Sequence, residues 1–324
     1  MTNGGWRTGS TGAVFTHRAK RLTPTEWEPT ELNERTLTVA RGAGDAEVIL
    51  STDWSADHTT VVVTGAFRPS PDAPWQTVLG FPADGASGVT SVLWTGQDWL
   101  ATGYVSEGPW ADQPSEPAVW VSADGITWAR SMDGLDLLDE GSSLARPCAM
   151  PDGTPLVIGH VVVDGQDQAA AWRRDDGVWS TVSVPTIIDD GRFAGCVTTD
   201  DGLIVRRESD APDSLWRTND GATFEKIYSV APGDTMHEVV AVPGGFAAYG
   251  SMDTREYAGP VLWLSRDGED WRSAPVPVRQ NTPTAHVGAD GTDLLVVVST
   301  SSGEQAFTVA AIDDVIAELT EQDD

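Results

Sequence analysis

Four stretches of this chain repeat one arrangement. AVWVSADGITW (118–128), AAWRRDDGVW (170–179), SLWRTNDGATF (214–224) and VLWLSRDGEDW (261–271) each place an aromatic residue, an Asp-Gly pair and a second aromatic in that order. The glycines Gly125, Gly177, Gly221 and Gly268 follow one another at intervals of 52, 44 and 47 residues. A period of that length belongs to propeller blades and is too long for ankyrin or leucine-rich repeats.

A second mark keeps the same pace. TVVVTG (60–65), WLATG (99–103), PLVIG (155–159), GLIVR (202–206), GFAAYG (245–250) and DLLVVV (293–298) are short β-rich runs, read as nearly fully buried strands. Before them stand SVLWTGQD, RPCAMPDG, AGCVTTDDG, VVAVPGG and AHVGADG, further strands closed by turns. Each unit therefore supplies four strands, A to D from the inside outward. The expected fold is all-β, a β-propeller of six or seven four-stranded blades. Seven is preferred, because 324 residues divided by the repeat spacing give about seven units.

The N-terminal AVFTHRAKRLTPTEWEPTEL, with Trp27 in the place of a second aromatic, is expected to close the ring and hide an open edge. Residues 1–311 then form one propeller domain. IDDVIAELTEQDD (312–324) changes period: Ile312, Val315, Ile316 and Leu319 share one helical face, which predicts a short acidic helix. It is read as a cap on the ring or as a docking element for a partner.

In a tight C-to-D hairpin the Asp carboxylate accepts hydrogen bonds from turn amides, Gly takes φ > 0, and a Ser or Thr hydroxyl joins the network. The structural positions are Ser122, Asp124, Gly125 and Trp128, with Thr127 beside them; Asp176, Gly177 and Trp179; Asp220, Gly221 and Phe224; and Ser265, Asp267, Gly268 and Trp271. Each flanking tryptophan can bury of order 200 Å² between neighbouring sheets.

SADGITW, TNDGATF and SRDGEDW resemble the Asp-box, the bacterial neuraminidase repeat of sialidase-like propellers. The usual pattern is Ser/Thr, any residue, Asp, any residue, Gly, any residue, Thr, Trp/Phe; here Asp and Gly are adjacent and the turn is one residue shorter. RDDGVW is shorter again. The resemblance implies a propeller. In catalytic members it also implies three arginines on a substrate carboxylate, a tyrosine nucleophile activated by a glutamate, and an aspartate acid/base, with a Phe-Arg-Ile-Pro motif carrying the first arginine. The nearest match is Phe67, Arg68, Pro69 without the isoleucine, and Glu256 and Tyr257 are adjacent instead of converging from separate blades. The catalytic pattern is not met, so the chain is expected to be a non-catalytic member.

The formal charge of -29, from 49 acidic and 20 basic residues, repels phosphate backbones and anionic lipid head groups. Nucleic acid and membrane insertion are therefore excluded as targets, and the longest apolar runs are strand-sized. Two cysteines give no disulfide framework; Cys148 and Cys196 fall at matching places in CAMPDG and CVTTDDG, and equivalent positions on adjacent blades are expected to stay apart as reduced thiols. The opening MTNGGWRTGSTGAVF has no charged start followed by an apolar run. The expectation is a chain without its own secretory signal, cytoplasmic or exported within a particle or after loss of a leader. His17, His58, His160, His237 and His286 show no metal-ligand spacing. No metal or other cofactor is expected; acidic turns such as DDG leave calcium as the one ion worth testing. With two lysines (Lys20 and Lys226) among 20 basic residues, the composition fits a GC-rich bacterial or phage genome.

A-to-B and C-to-D loops share one end of the ring, B-to-C and D-to-A loops the other. Since the Asp-Gly turns occupy the first end, functional residues are expected on the second, where RPSPDAPW (68–75), VSEGPWADQPSEP (105–117), RESDAPDS (207–214) and SMDTREYAG (251–259) are read as B-to-C loops. Arg68, Trp75, Trp110, Arg255 and Tyr257 are the candidate binding residues, because aromatics and arginines offer stacking surfaces and rigid donors to a protein partner or a glycan. The expected function is a non-catalytic interaction module, a subunit of a larger assembly or of an extracellular particle. The alternative is a propeller glycoside hydrolase or lyase using loop carboxylates.

Overall fold

The computed structural model describes residues 37–309 except 55–60, 79–80, 82–85, 107–114, 136–141, 183, 185–190, 210–211, 243, 254–257, 276–283, 291–292 and 301–302. It also describes three N-terminal strands; there and beyond residue 273 only the backbone is described. Every strand pairs antiparallel with its neighbour in sequence, which produces seven successive meanders.

The first is β1 (Gly5–Trp6), β2 (Phe15–Thr16) and β3 (Glu28–Pro29). The second is β4 (Leu37–Arg41), β5 (Glu47–Trp54), β6 (Val61–Arg68) and β7 (Gln76–Thr77). The third is β8 (Ala86–Trp94), β9 (Trp99–Ser106), β10 (Ser115–Ser122) and β11 (Ala129–Arg130). The fourth is β12 (Ser143–Ala149), β13 (Pro155–Val163), β14 (Gln166–Asp175) and β15 (Val178–Val182). The fifth is β16 (Arg192–Thr198), β17 (Leu203–Glu208), β18 (Ser214–Thr218) and β19 (Glu225–Ser229). The sixth is β20 (Thr235–Val242), β21 (Gly245–Asp253), β22 (Ala258–Ser265) and β23 (Arg272–Pro275), and the seventh is β24 (Thr284–Asp290), β25 (Asp293–Thr300) and β26 (Gly303–Val309).

Each meander from the second to the sixth meets the next through its first strand: β4 meets β8, β8 meets β12, β12 meets β16, β16 meets β20, and β20 meets β24. First strands are thus the inner ones, and the molecule is a multi-blade β-propeller, with seven sheets among the described residues. The described residues of the N-terminal segment form a sheet of their own, with Phe15 opposite Pro29, and among the described residues none of them adds a strand to the seventh. Trp27 and the helix expected over 312–324 lie outside the described residues.

The core is divided among the interfaces between sheets. Leu100 and Ala101 are adjacent on β9, so their side chains leave opposite faces of the sheet. Ala101, with Val92 and Trp120, packs against Val48, Leu50 and Phe67 of the second sheet. Leu100 and Val119 pack against Val157, Ala170 and Trp172 of the fourth. Trp120 is 0% exposed; side chains buried so completely each stabilise the fold by about 1.5–3 kcal/mol.

Cys148 and Cys196 are joined in a disulfide with Cα atoms 6.2 Å apart, which corrects the expectation of reduced thiols. The register explains the difference. Trp172 pairs with Val157, which pairs with Pro147; Trp216 pairs with Val205, which pairs with Cys196. Pro147 is therefore the counterpart of Cys196, and Cys148 stands one step further along. A single step reverses the face from which a side chain projects. Cys148 consequently points forward from the fourth sheet and Cys196 backward from the fifth, into the same interface.

Four consecutive inner strands carry a bulge at one level. β8 skips between Val89 and Ser91, β12 between Leu144 and Arg146, β16 between Phe193 and Gly195, and β20 between Met236 and Glu238. The extra residues are Thr90, Ala145, Ala194 and His237. The bulges place Ser91, Arg146, Gly195 and Glu238 in equivalent positions on successive blades.

Candidate functional site

The two ends of the ring differ in how their charges are settled. At the C-to-D end, the Asp124 carboxylate accepts from the amides of Ile126 (2.8 Å) and Thr127 (2.7 Å) and from the Ser122 hydroxyl (3.0 Å), while the Gly125 amide donates to Ser122 Oγ at 2.9 Å. Thr218, Asp220 and Gly221 repeat the network, as do Ser265, Asp267 and Gly268. Trp128 and Trp271 each donate their indole N–H to the turn glycine's carbonyl, at 3.3 and 2.8 Å.

The amides of Thr223 and Ala222 hold Asp220 below the ordinary carboxylate range. At Asp124 and Asp267 burial acts the other way, but the turn amides outweigh it and the net shift is also downward. Arginines of the preceding blade grip two of these turns: Arg173 donates to the Asp220 carbonyl at 3.3 Å, and Arg217 to the Asp267 carbonyl at 2.9 Å. These hydrogen bonds hold the Asp-Gly turns in shape.

The fourth sheet departs from the pattern. Asp175 pairs directly with Val178, so Asp176 (φ 52°) and Gly177 (φ 87°) form a two-residue hairpin turn with both residues left-handed. Trp179 sends its indole N–H back to the Ser131 carbonyl of the preceding blade, at 3.1 Å.

Arg68 and Trp75 also lie at this end. The register Phe67↔Gln76 makes 68–75 the C-to-D connection of the second sheet, which corrects its reading as a B-to-C loop. TVVVTG looks like a buried second strand, but that place is taken by β5, which follows a tight turn at Gly42–Ala46. Arg68 is engaged by the carboxylate of Glu47, 1% exposed, donates to the Pro71 carbonyl at 2.8 Å, and lies over the Trp75 ring at 4.6 Å. Trp75 is 41% exposed. The structure thus brings Arg68 and Trp75 together; Trp110, Arg255 and Tyr257, with Glu256, lie outside the described residues.

At the B-to-C end, ionic groups from the fourth, fifth and sixth sheets converge. Arg206, 8% exposed, donates to the Met236 carbonyl at 3.0 Å and stands 3.9 Å from Asp213 and 3.6 Å from Glu208. Asp213, also 8% exposed, accepts the Met236 amide at 2.9 Å. Arg192 binds Glu208 through two nitrogens, at 3.4 and 3.3 Å.

Arg146 and Glu238 meet at 3.6 Å although strand β16 stands between their own strands. The residue of β16 at that level is Gly195. A methyl group there would just touch the Arg206 side chain, at 3.9 Å. Among the described residues, the buried Nε of Arg206 has no hydrogen-bond partner.

Burial lowers the pKa of Arg206, against the opposing charges of Asp213 and Glu208. Burial raises that of Asp213, against the Met236 amide and Arg206. Both groups are thus held against their preference for charge, as groups at functional sites often are. The loop RESDAPDS, which stands out in the sequence, contains Glu208 and Asp213, but Arg146, Arg206 and Glu238 carry no local signal, since the cluster is assembled from three blades. Among the described residues no group of His, Cys, Asp and Glu is arranged to hold a metal ion.

No family model and no curated protein matches the chain. Solved structures do resemble it. YCF48 bound to a D1 peptide aligns with a TM-score of 0.58 and 13% identity, over 92% of this chain and 84% of that one. A protein of unknown function from Dyadobacter fermentans aligns with 0.55 and 12%, over 85% and 93%. An ulvan lyase, a polysaccharide lyase bound to a GlcA-Rha3S unit, aligns with 0.50 and 12%, over 83% and 74%. At such identities the likeness is one of fold.

Proposed function

We propose that this chain is an Asp-box-type propeller that serves as an interaction module. At its B-to-C end it receives an acidic group of a protein partner or glycan. The observation that carries this reading is Arg206: a buried guanidinium with an unmatched Nε, set among Arg146 and Arg192 in a chain whose charge is otherwise strongly negative. An arginine fork is suited to a carboxylate or sulfate. Arg68, the nearest match to a sialidase arginine, is occupied by Glu47 at the other end of the ring, which speaks against that chemistry.

The test is capture of partners by the tagged full-length chain from its native lysate and medium, beside Arg192→Glu. Arg192 has a side chain 48% exposed, so its replacement spares the core. A stoichiometric partner, or a glycan on an array, held by the wild type and lost in the folded variant supports the reading. Equal capture by both refutes it. Repeating the capture without residues 312–324 tells whether that segment docks the partner instead.

A second reading rests on Asp213, whose raised pKa suits an acid/base. Turnover in a panel of uronate-bearing polysaccharides, abolished by Asp213→Asn with binding retained, would favour a lyase or hydrolase.

A further inference from the structure

We propose that the Cys148–Cys196 disulfide is a redox latch for the arginine cluster. The fourth and fifth sheets are separate hydrogen-bonded units, so their relative position depends on packing across the interface. Apolar side chains fill much of it, and hydrogen bonds cross it from the Thr198 hydroxyl to the Ala149 carbonyl at 2.8 Å, from the Gly191 amide to the Asp167 carbonyl at 3.0 Å and from Arg173 to the Asp220 carbonyl at 3.3 Å. Interfaces of this kind slide more readily than hydrogen-bonded ladders open.

The cross-link sits where sliding would matter most for charge. Arg146 precedes Cys148 by two residues on β12. Gly195 immediately precedes Cys196 on β16, and Gly195 is the strand partner of Arg206. One half of the cluster is thus carried by one side of the bridge and the other half by the other side. Any widening between β12 and β16 draws Arg146 away from Glu238 and from the space beside the Arg206 Nε.

Cys148 is 1% exposed, whereas Cys196 is only partly buried, so Cys196 is the half of the bridge assigned to the incoming thiolate. A thiolate of a dithiol, the class to which cellular disulfide reductants belong, attacks Cys196 Sγ. It forms a mixed disulfide and releases the Cys148 thiolate, which takes up a proton. The second thiol of the dithiol then closes on the first sulfur and frees Cys196. Two electrons and two protons pass to the protein, and the dithiol leaves as a disulfide.

The test uses the full chain, untreated and after dithiothreitol, with Cys148→Ser/Cys196→Ser as a second route to the unlinked state. Untreated protein should show no titratable thiol and reduced protein two. Amide exchange in segments 143–149, 192–208 and 235–242 should rise about tenfold or more on reduction, while segment 86–106 changes less than about twofold. Thiols titrating in the untreated protein overturn the proposal. So does exchange that stays unchanged, or that rises evenly around the ring in both the reduced protein and the double variant, because an even rise describes a general staple.

The consequence for binding rests on the reading given under Proposed function: a partner held through Arg192 should be released on reduction. Local exchange that responds while no partner binds in either state leaves the latch standing and removes the binding reading.

Discussion

The Asp-Gly turn at 220–221 and the Arg206–Asp213 pair are both built around an aspartate of the fifth sheet, and they treat its charge in opposite ways. Asp220 is exposed, collects turn amides and is held below the ordinary carboxylate range. Asp213 is buried, keeps one amide and a guanidinium at 3.9 Å, and is pushed above that range. One end of the ring uses carboxylates to hold loops in shape, while the other stores electrostatic cost. A fold tolerates such cost where something other than stability is being served.

The contrast can be broken most forcefully at Asp213. Asp213→Ala leaves Arg206 with less compensation and the Met236 amide without its acceptor, and should cost about 3–5 kcal/mol by urea unfolding. Asp220→Ala, which removes a cap-like carboxylate, should cost only about 1 kcal/mol. Equal losses would erase the distinction between the ends.

Within the Asp-Gly end, Gly268 and Gly177 separate two kinds of turn. Both have positive φ, but a Cβ at Gly268 would collide with Ile204 of the preceding blade, whereas at Gly177 the nearest atom is 3.9 Å away. Gly268→Ala should cost about 3 kcal/mol, from strain plus overpacking, and Gly177→Ala about 1–2 kcal/mol from strain alone. Thermal melts of the two variants would show whether the longer turns are keyed into the neighbouring blade.

Acid titration sharpens the same comparison. Asp124, Asp220 and Asp267 have depressed pKa values, so their contribution is present above the unfolded value of 3.8 and is lost as pH falls through their folded values. Asp213 has a raised pKa, so its cost is greatest at neutral pH and is relieved as pH falls through its folded value, above 3.8. Asp220→Ala should therefore flatten the loss of stability below about pH 4, and Asp213→Asn should flatten the gain that precedes it.

The smallest effect is expected at Asp176, whose φ of 52° suits Asn or Gly better than Asp. Asp176→Gly should be neutral or stabilising by about 0.5 kcal/mol, with no effect on the other turns.

What the sequence disclosed follows from how far each interaction reaches. The Asp-Gly turns were legible because donor, acceptor and glycine lie within six residues, and a regular period confirmed them. The phase of the second sheet was misread since TVVVTG carries more β-branched residues than the true second strand, EVILSTDW, which contains the buried Glu47. ARGAGDAE, with two glycines ahead of that strand, was the available signal. The disulfide could not be seen by aligning repeats, because repeats align equivalent positions and a bridge needs facing ones. Arg206 stayed hidden for a related reason: its acceptors come from its own strand, the next loop and the next blade.

The recurring bulge gives the inner wall a fixed address on each of four blades. Thr90, Ala145, Ala194 and His237 stand outside the ladder register. The Thr90 hydroxyl still reaches the Thr102 carbonyl across the strand pair, at 3.1 Å, and the His237 ring lies 6.0 Å from that of Tyr249, whereas Ala145 and Ala194 carry only a methyl group. The letters at Ala145 and Ala194 can therefore be rewritten while the grammar of the sheets is left intact, which makes these two positions the natural place to give the scaffold a new specificity.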